Sequence, residues 1–164
     1  CEEYTNPTIK DGWQHCFTFP REVFIKDGKV CQKPVRELDA KKQQLQDVQN
    51  ELTQSGCPVY EVNVNGIKEN HFQAVLSDEL ILDYENGRFQ MHFTTKSKTS
   101  VSAGRSLRYA KVGTLENVKI LADTSSVEVF VNDGEFVFST RYYPNDYKIV
   151  VHSPSAHITF DKIQ

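Results

Sequence analysis

Two six-residue runs, Leu80-Ile81-Leu82-Asp83-Tyr84-Glu85 and Arg88-Phe89-Gln90-Met91-His92-Phe93, flank Asn86-Gly87, and this stretch constrains the fold more than any other. Asn-Gly accepts the positive φ that a type I′ turn needs at both central positions, and that turn matches the twist of paired strands. The two-residue loop sets the register: Glu85 faces Arg88, Tyr84 faces Phe89, Leu82 faces Met91 and Leu80 faces Phe93. One face is then apolar, while Ile81, Asp83, Gln90 and His92 point the other way. A slip of one residue would bury the polar set, so the register is well specified.

The same grammar recurs. Val127-Glu128-Val129-Phe130-Val131-Asn132 turns at Asp133-Gly134 and returns through Phe136–Arg141. Val131 pairs with Phe136 and Val129 with Phe138 on the core face. Glu128, Phe130, Val137 and Arg141 take the other face, with Glu128 diagonal to Arg141 and expected to form an ion pair with it. Val23–Cys31 reads as a hairpin around Asp27-Gly28, and Tyr60, Val62 and Val64 alternate up to Asn65-Gly66. Further strands are expected at 107–112, 115–122, 147–152 and 157–163, with Asp123-Thr124-Ser125-Ser126 as a turn and 95–106 as a polar loop. Val and Ile outnumber Leu, and ten Phe and seven Tyr stand against one Met, a balance that suits pleated sheet. Short strands with turn signals every ~8–12 residues and no βαβ alternation predict an all-β fold, a two-sheet antiparallel β-sandwich.

One segment breaks the pattern. Leu38, Leu45, Val48 and Leu52 recur at helical spacing among Lys, Gln, Asp and Glu, with Gly56 and Pro58 as stops. This predicts an amphipathic connecting helix over 36–54.

Motifs of catalysis and ligand binding are sparse. His15, His71, His92, His152 and His157 form neither HxH nor HExxH, and Cys1, Cys16, Cys31 and Cys57 form no CxxC pair, so no metal is expected. Free thiols are the expected state of the cysteines. Nucleotide loops and nucleophile elbows are missing, so no cofactor is expected. The net charge of −3 gives no reason for a polyanion partner, and Lys96, Lys98, Arg105, Arg108 and Lys111 lack interleaved aromatics; no nucleic acid is expected. No apolar run approaches a membrane span, so no membrane partner is expected. Trp13, Tyr142 and Tyr143 are candidate sugar contacts, with core packing as the alternative. The chain opens on Cys1, which predicts a piece of a longer protein.

Two stretches carry a resemblance. Phe19-Pro20-Arg21-Glu22, Lys26-Asp27-Gly28-Lys29-Val30, Gln32-Lys33-Pro34-Val35 and Glu37-Leu38 resemble the segment that ends the catalytic domain in glycoside hydrolase family 32. The run Asp123–Glu135, with Ser139, Arg141, Tyr143 and Pro144, resembles the signature of that family's C-terminal sandwich. The signature positions are Pro20, Arg21, Glu22, Asp27, Gly28, Asp123, Ser126, Glu128, Asn132, Asp133, Gly134, Arg141 and Pro144.

The resemblance implies a jelly-roll or concanavalin-like sandwich behind an N-terminal catalytic β-propeller, in a retaining glycosidase of the invertase and sucrose-6-phosphate hydrolase kind (the β-fructofuranosidases). The family's nucleophile, acid/base and Arg-Asp-Pro motifs do not occur in this sequence, which has no Asp-Pro and no Glu-Cys dipeptide. No catalytic residue is therefore assigned, and the chain is expected to be inactive alone. Residues 1–35 are expected to be the end of the propeller domain, 36–56 a helical connector and 57–164 the sandwich. The expected partner is the missing propeller, with a homodimer as a further contact. Apolar surfaces of 1–34, and the face of Phe130 and Val137, should be buried by self-association or by folding back on the sandwich. Unpaired thiols and a proline-blocked Asn6-Pro7-Thr8 sequon point to the cytoplasm. The competing reading is a stand-alone carbohydrate-binding, lectin-like sandwich.

Overall fold

A computed structural model describes residues 6–68, 71–94 and 106–164. The longest strand, Ile149–Ile163, organises it. Numbered in chain order, the strands are β1 (Arg21–Lys26), β2 (Lys29–Pro34), β3 (Lys42–Gln54), β4 (Tyr60–Asn65), β5 (Phe72–Leu76), β6 (Leu80–Glu85), β7 (Arg88–Phe93), β8 (Leu107–Lys111), β9 (Asn117–Ala122), β10 (Ser126–Val131), β11 (Phe136–Arg141) and β12, the organising strand. Short 3₁₀ turns cover Pro7–Asp11 and Arg36–Lys41.

The first half of β12, Ile149–His152, pairs with β5, and its second half, His157–Lys162, pairs with β4. The strand thus passes from one sheet to the other through an irregularity between His152 and His157. One sheet continues β5-β6-β7-β8 and the other β4-β9-β10-β11, every pairing antiparallel. The inner faces share one core, in which the rings of Phe89 and Phe138 meet at 5.3 Å between the sheets. Where the outer strands approach, Arg108 Nη1 donates to Thr140 Oγ1 at 3.1 Å, and the sandwich is nearly closed.

The hairpins hold the registers expected of them. Glu85 pairs with Arg88, Leu82 with Met91 and Leu80 with Phe93; Val131 pairs with Phe136 and Val129 with Phe138. Alternation explains the burial. Leu80, Leu82, Phe89 and Met91 are fully buried, while Ile81, Asp83, Gln90 and His92 are only partly covered.

Two expectations are corrected. Residues 36–54 are not an amphipathic helix: after the 3₁₀ turn the chain extends as β3, a thirteen-residue edge strand along β12. The edge strand joins the sandwich, which therefore takes in residues ahead of 57. Leu45 is skipped in the ladder, because Gln46 faces Phe160 and Gln44 faces Asp161. A bulge thus throws Leu45 outward, and spacing that fits a helix here belongs to an interrupted strand. The last two expected strands, 147–152 and 157–163, are a single strand, β12.

The outer face of the β9–β10 sheet is also covered. Leu121, Phe130 and Ile163 form a second cluster with Phe19, Leu38, Val59 and Val137, so the segment ahead of β3 folds back on the sandwich. Cys31 and Cys57 are buried and Cys16 exposed, all three as free thiols. The loop carrying Lys96, Lys98 and Arg105, like Cys1, lies outside the described residues.

Candidate functional site

The two signature stretches, distant in sequence, meet in space. The β1–β2 hairpin lies against the β10–β11 hairpin, and a line of paired groups joins them. Arg21 is central. Its Nη2 reaches Glu128 Oε2 at 2.5 Å and Ser139 Oγ at 2.7 Å, its Nη1 donates to Gln32 Oε1 at 3.0 Å, and its guanidinium lies 5.3 Å from the Phe130 ring centre. The other Glu128 oxygen accepts the Phe19 N–H at 2.7 Å. The Glu128 side chain is 2% exposed, so this pair sits largely out of water. A carboxylate there is tolerated because both oxygens are met by donors.

The expected Glu128–Arg141 pair does not form. The register sets Glu128 against Ser139 and Arg141 against Ser126, and the nearer cation, Arg21, comes from the folded-back hairpin.

The turns of the two hairpins interlock as well. Lys26 Nζ reaches Asp133 at 2.5 Å and Lys29 Nζ reaches Glu135 at 2.6 Å. Each acid raises the pKa of its lysine above the ordinary value through the hydrogen bond it accepts. Gln32 N–H donates to the Gly134 carbonyl at 3.0 Å. Gly134 has φ +83°, and any Cβ there would overlap the Gln32 carbonyl oxygen. Only glycine fits, for its conformation and for the close approach of the second backbone.

The other signature residues shape these turns. Asp123 Oδ1 accepts the N–H groups of Ser125 and Ser126 at 2.6 and 2.7 Å. Asn132 Oδ1 accepts Glu116 N–H and its amide donates to the Thr114 carbonyl, while Asp133 is bridged to Asn117. Asp27 and Gly28 both take positive φ at the first hairpin's turn. The Pro20 carbonyl accepts Val35 N–H, Glu22 pairs with Lys33 and Arg36, and Pro144 is half-buried beyond β11. Hydrogen bonding from Lys33 and Arg36 lowers the Glu22 pKa.

The three candidate sugar contacts separate. Tyr142 lies in the core, 3% exposed, and its hydroxyl donates to Ser77 Oγ at 2.7 Å. Burial pushes its phenol pKa far up. Tyr142 has no free face for a sugar. Trp13 and Tyr143 come together around Arg141, each ring centre 5.0 Å from the guanidinium carbon. Arg141 lines a pocket of about 370 Å³ between residues 14–18 and strands β10 and β11.

A buried acid missed by sequence reading completes the inventory. Glu61 is 1% exposed and takes Lys42 and Lys119 on one oxygen, each at 2.8 Å, with the Asn63 amide at 3.0 Å. Burial acts to raise its pKa, but Lys119, Lys42 and Asn63 outweigh that and hold it below the ordinary value. Asp161, directly across the β4–β12 ladder, is pushed up by burial and then by Glu61. Glu61 alternates with Tyr60 and Val62 in the sequence and reads as a solvent-side residue; only the β4–β9 pairing reveals Lys119 beside it.

Two nearly closed antiparallel sheets, with a hairpin clamped to the outer face through Arg21–Glu128, Lys26–Asp133 and Lys29–Glu135, define a β-sandwich domain. Residues 77–164 match the family model described as glycosyl hydrolases family 32 C terminal, and the chain belongs to that family. It is 32% identical over 151 residues to a raffinose invertase of Escherichia coli, covering 84% of this chain and 31% of that protein. It is 28% identical over 152 residues to a sucrose-6-phosphate hydrolase of Bacillus subtilis, covering 87% of this chain and 31% of the relative. The fold matches the solved sucrose-6-phosphate hydrolase from Lactobacillus gasseri with a TM-score of 0.80 at 19% identity, over 98% of this chain and 36% of that one. A Bombyx mori GH32 β-fructofuranosidase matches at 0.73 with 17% identity, over 94% of this chain and 34% of the other. The chain thus spans about a third of the length of these proteins.

Proposed function

We propose that this chain is the non-catalytic C-terminal sandwich of a β-fructofuranosidase that hydrolyses sucrose or sucrose 6-phosphate, and that it braces the protein's N-terminal catalytic propeller. One observation carries the reading. The β1–β2 hairpin is clamped to the sandwich and presents Val23, Ile25 and Val30 to solvent, 60–68% exposed, and Phe17 ahead of it is fully exposed. Apolar side chains gain roughly 1.5–3 kcal/mol each on burial, so such a face suits a partner surface. The relatives supply the substrate class: those matched include invertase and sucrose-6-phosphate hydrolases roughly three times as long. Residues 1–35 belong in this reading with the propeller domain.

The lectin-like alternative is not favoured. Tyr142 is buried, and Trp13 and Tyr143 turn toward Arg141. The free thiols Cys16, Cys31 and Cys57 support a cytoplasmic setting.

The test is direct. The purified 164-residue chain should release no glucose from sucrose or sucrose 6-phosphate, and turnover would refute the assignment. Reading the coding region ahead of Cys1 should reveal a catalytic domain with the family's three acidic motifs. Without that domain the chain should pair through the exposed face, which light scattering would report as a dimer.

A further inference from the structure

We propose that Asn86-Gly87, the turn between β6 and β7, is a site of self-modification: the Gly87 nitrogen attacks the Asn86 side-chain amide and leaves aspartate or isoaspartate at position 86. The chain holds the dipeptide twice, as Asn65-Gly66 and Asn86-Gly87, and the fold sets the two apart. Glycine has no side chain to obstruct the attack, so in an unfolded chain both pairs are equally open to it. The difference lies in the backbone. Closing the five-membered ring brings the glycine nitrogen into line with the asparagine Cβ, which fixes the ψ of an L-residue near about −120°; with φ positive, that is the first central position of a type II′ turn. Asn86 has φ 52° and Gly87 φ 78°, the two central positions of a type I′ turn. Turning over the 86–87 peptide converts one turn into the other, changing the ψ of Asn86 and the φ of Gly87 while the strand ends stay in place. Glycine at 87 accepts either sign of φ.

Nothing holds that peptide. Among the described residues neither the Asn86 carbonyl nor the Gly87 N–H meets a hydrogen-bond partner, and the Asn86 side chain is exposed. The next peptide is anchored, because the Gly87 carbonyl accepts the N–H groups of Val112 and Gly113 at 2.8 and 3.2 Å. Asn65 is placed otherwise. It ends β4 with the negative φ of a strand, paired with Asn117 on one side and His157 on the other. For it the type II′ geometry requires φ to change sign, which takes the residue out of both ladders.

The step balances. The Gly87 nitrogen loses its proton to hydroxide from solvent and forms a bond to Asn86 Cγ; the Cγ–Nδ2 bond breaks and ammonia leaves. Water then opens the succinimide at either carbonyl, giving α-linked aspartate or isoaspartate. Aspartate keeps an Asp-Gly turn. Isoaspartate adds a methylene to the main chain inside a two-residue loop, and that loop sets Leu82 against Met91 and Leu80 against Phe93.

The experiment ages the 164-residue chain in mildly alkaline buffer, native and in urea, and maps its peptides by mass spectrometry. Isoaspartate is counted by methyl transfer from S-adenosylmethionine with an isoaspartyl methyltransferase. In urea the two Asn-Gly pairs should convert at similar rates. In the native chain Asn86 should convert about tenfold faster than Asn65, or more. Asn86→Gly suits the same positive φ and has no amide to lose, so it should abolish the change at 86 and keep the wild-type melting temperature. The isoaspartate fraction, separated by chromatography, should melt about 5 °C below unaged protein, while Asn86→Asp should melt with wild type. Equal native rates, a faster Asn65, or an Asn86 that converts only in urea would overturn the inference. Conversion to α-linked aspartate alone would do the same, since it marks direct hydrolysis without the ring. An isoaspartate fraction that melts with wild type would overturn the effect on register.

Discussion

Arg21 and Glu128 form an ion pair of 2.5 Å between side chains 15% and 2% exposed, joining two signature stretches otherwise distant in sequence. Glu128 also holds the Phe19 N–H, so one carboxylate anchors the hairpin at its entry. Glu128→Gln keeps the shape but removes the charge facing a mostly buried guanidinium. It should cost about 3 kcal/mol in denaturant unfolding. Limited proteolysis should then cut first within 17–35, where wild type resists. Equal resistance in both would show that the apolar cover from Phe19 and Leu38 holds the hairpin without the pair.

Gly134 makes a second, independent prediction. Its φ of +83° disfavours any side chain, and a Cβ would overlap the Gln32 carbonyl oxygen, which is backbone and cannot rotate away. Gly134→Ala should cost about 2–4 kcal/mol, more than the roughly 1 kcal/mol of a positive-φ site in open space. Gly28→Ala is the comparison: it has φ +74° and nothing within reach of its Cβ. The difference between the two variants measures the contact between hairpins.

Acid should weaken the fold through Glu61. Its pKa is lower in the folded protein than its ordinary value of 4.5, so its contribution is complete above that value and fades as pH falls through the lowered folded pKa. Asp161 runs the other way. Burial and Glu61 raise its folded pKa, so it favours the fold when protonated, and that contribution is lost as pH rises through the raised value. Glu61→Gln should therefore cost about 2–3 kcal/mol at pH 7 and flatten the stability profile below about pH 4.5. Asp161→Asn should raise stability at pH 7. Melting curves from pH 3 to 7 check both signs.

Local grammar made most of the sheet legible. Asn86-Gly87 sets one register, because a two-residue turn leaves the flanking alternation no freedom to slip, and the register expected around Asp133-Gly134 holds across a four-residue turn, 132–135, with positive φ at Asn132, Asp133 and Gly134. The pairing of Arg21 with Glu128 was beyond that reach. Both residues belong to recognisable motifs, yet nothing in either motif states that the hairpins touch, and the diagonal Arg141 is the cation that Glu128's own hairpin offers. Arg141 stood out as a signature residue and as the expected partner of Glu128; its place 5.0 Å from the ring centres of both Trp13 and Tyr143 comes from residues ahead of β1 folding back over β11. Glu61 was hidden for a similar reason, since an acid in an alternating strand reads as solvent-facing until β9 brings Lys119 alongside.

The misread segment offers the most discriminating substitution. Leu45, Val48 and Leu52 lie at i, i+3 and i+7, and a Gln-, Leu- and Lys-rich stretch has good helix propensity, so a helix would bury all three along one stripe. As an edge strand, β3 instead takes its hydrogen bonds from β12 and buries them unequally. Leu52 is 1% exposed and joins the core, whereas Leu45, skipped in the ladder, is 44% exposed. Leu52→Ala should therefore cost about 2–5 kcal/mol. Leu45→Gln should stay within about 0.5 kcal/mol of wild type, as surface changes do. Asn50, with φ 70° and its side-chain oxygen accepting Ser155 N–H at 2.7 Å, marks the second irregularity where β12 changes sheets. Asn50→Ala should cost about 1–2 kcal/mol, combining the lost acceptor with the positive φ. Similar costs at Leu45 and Leu52, with no cost at Asn50, would restore the helical pattern and remove β3 from the sandwich.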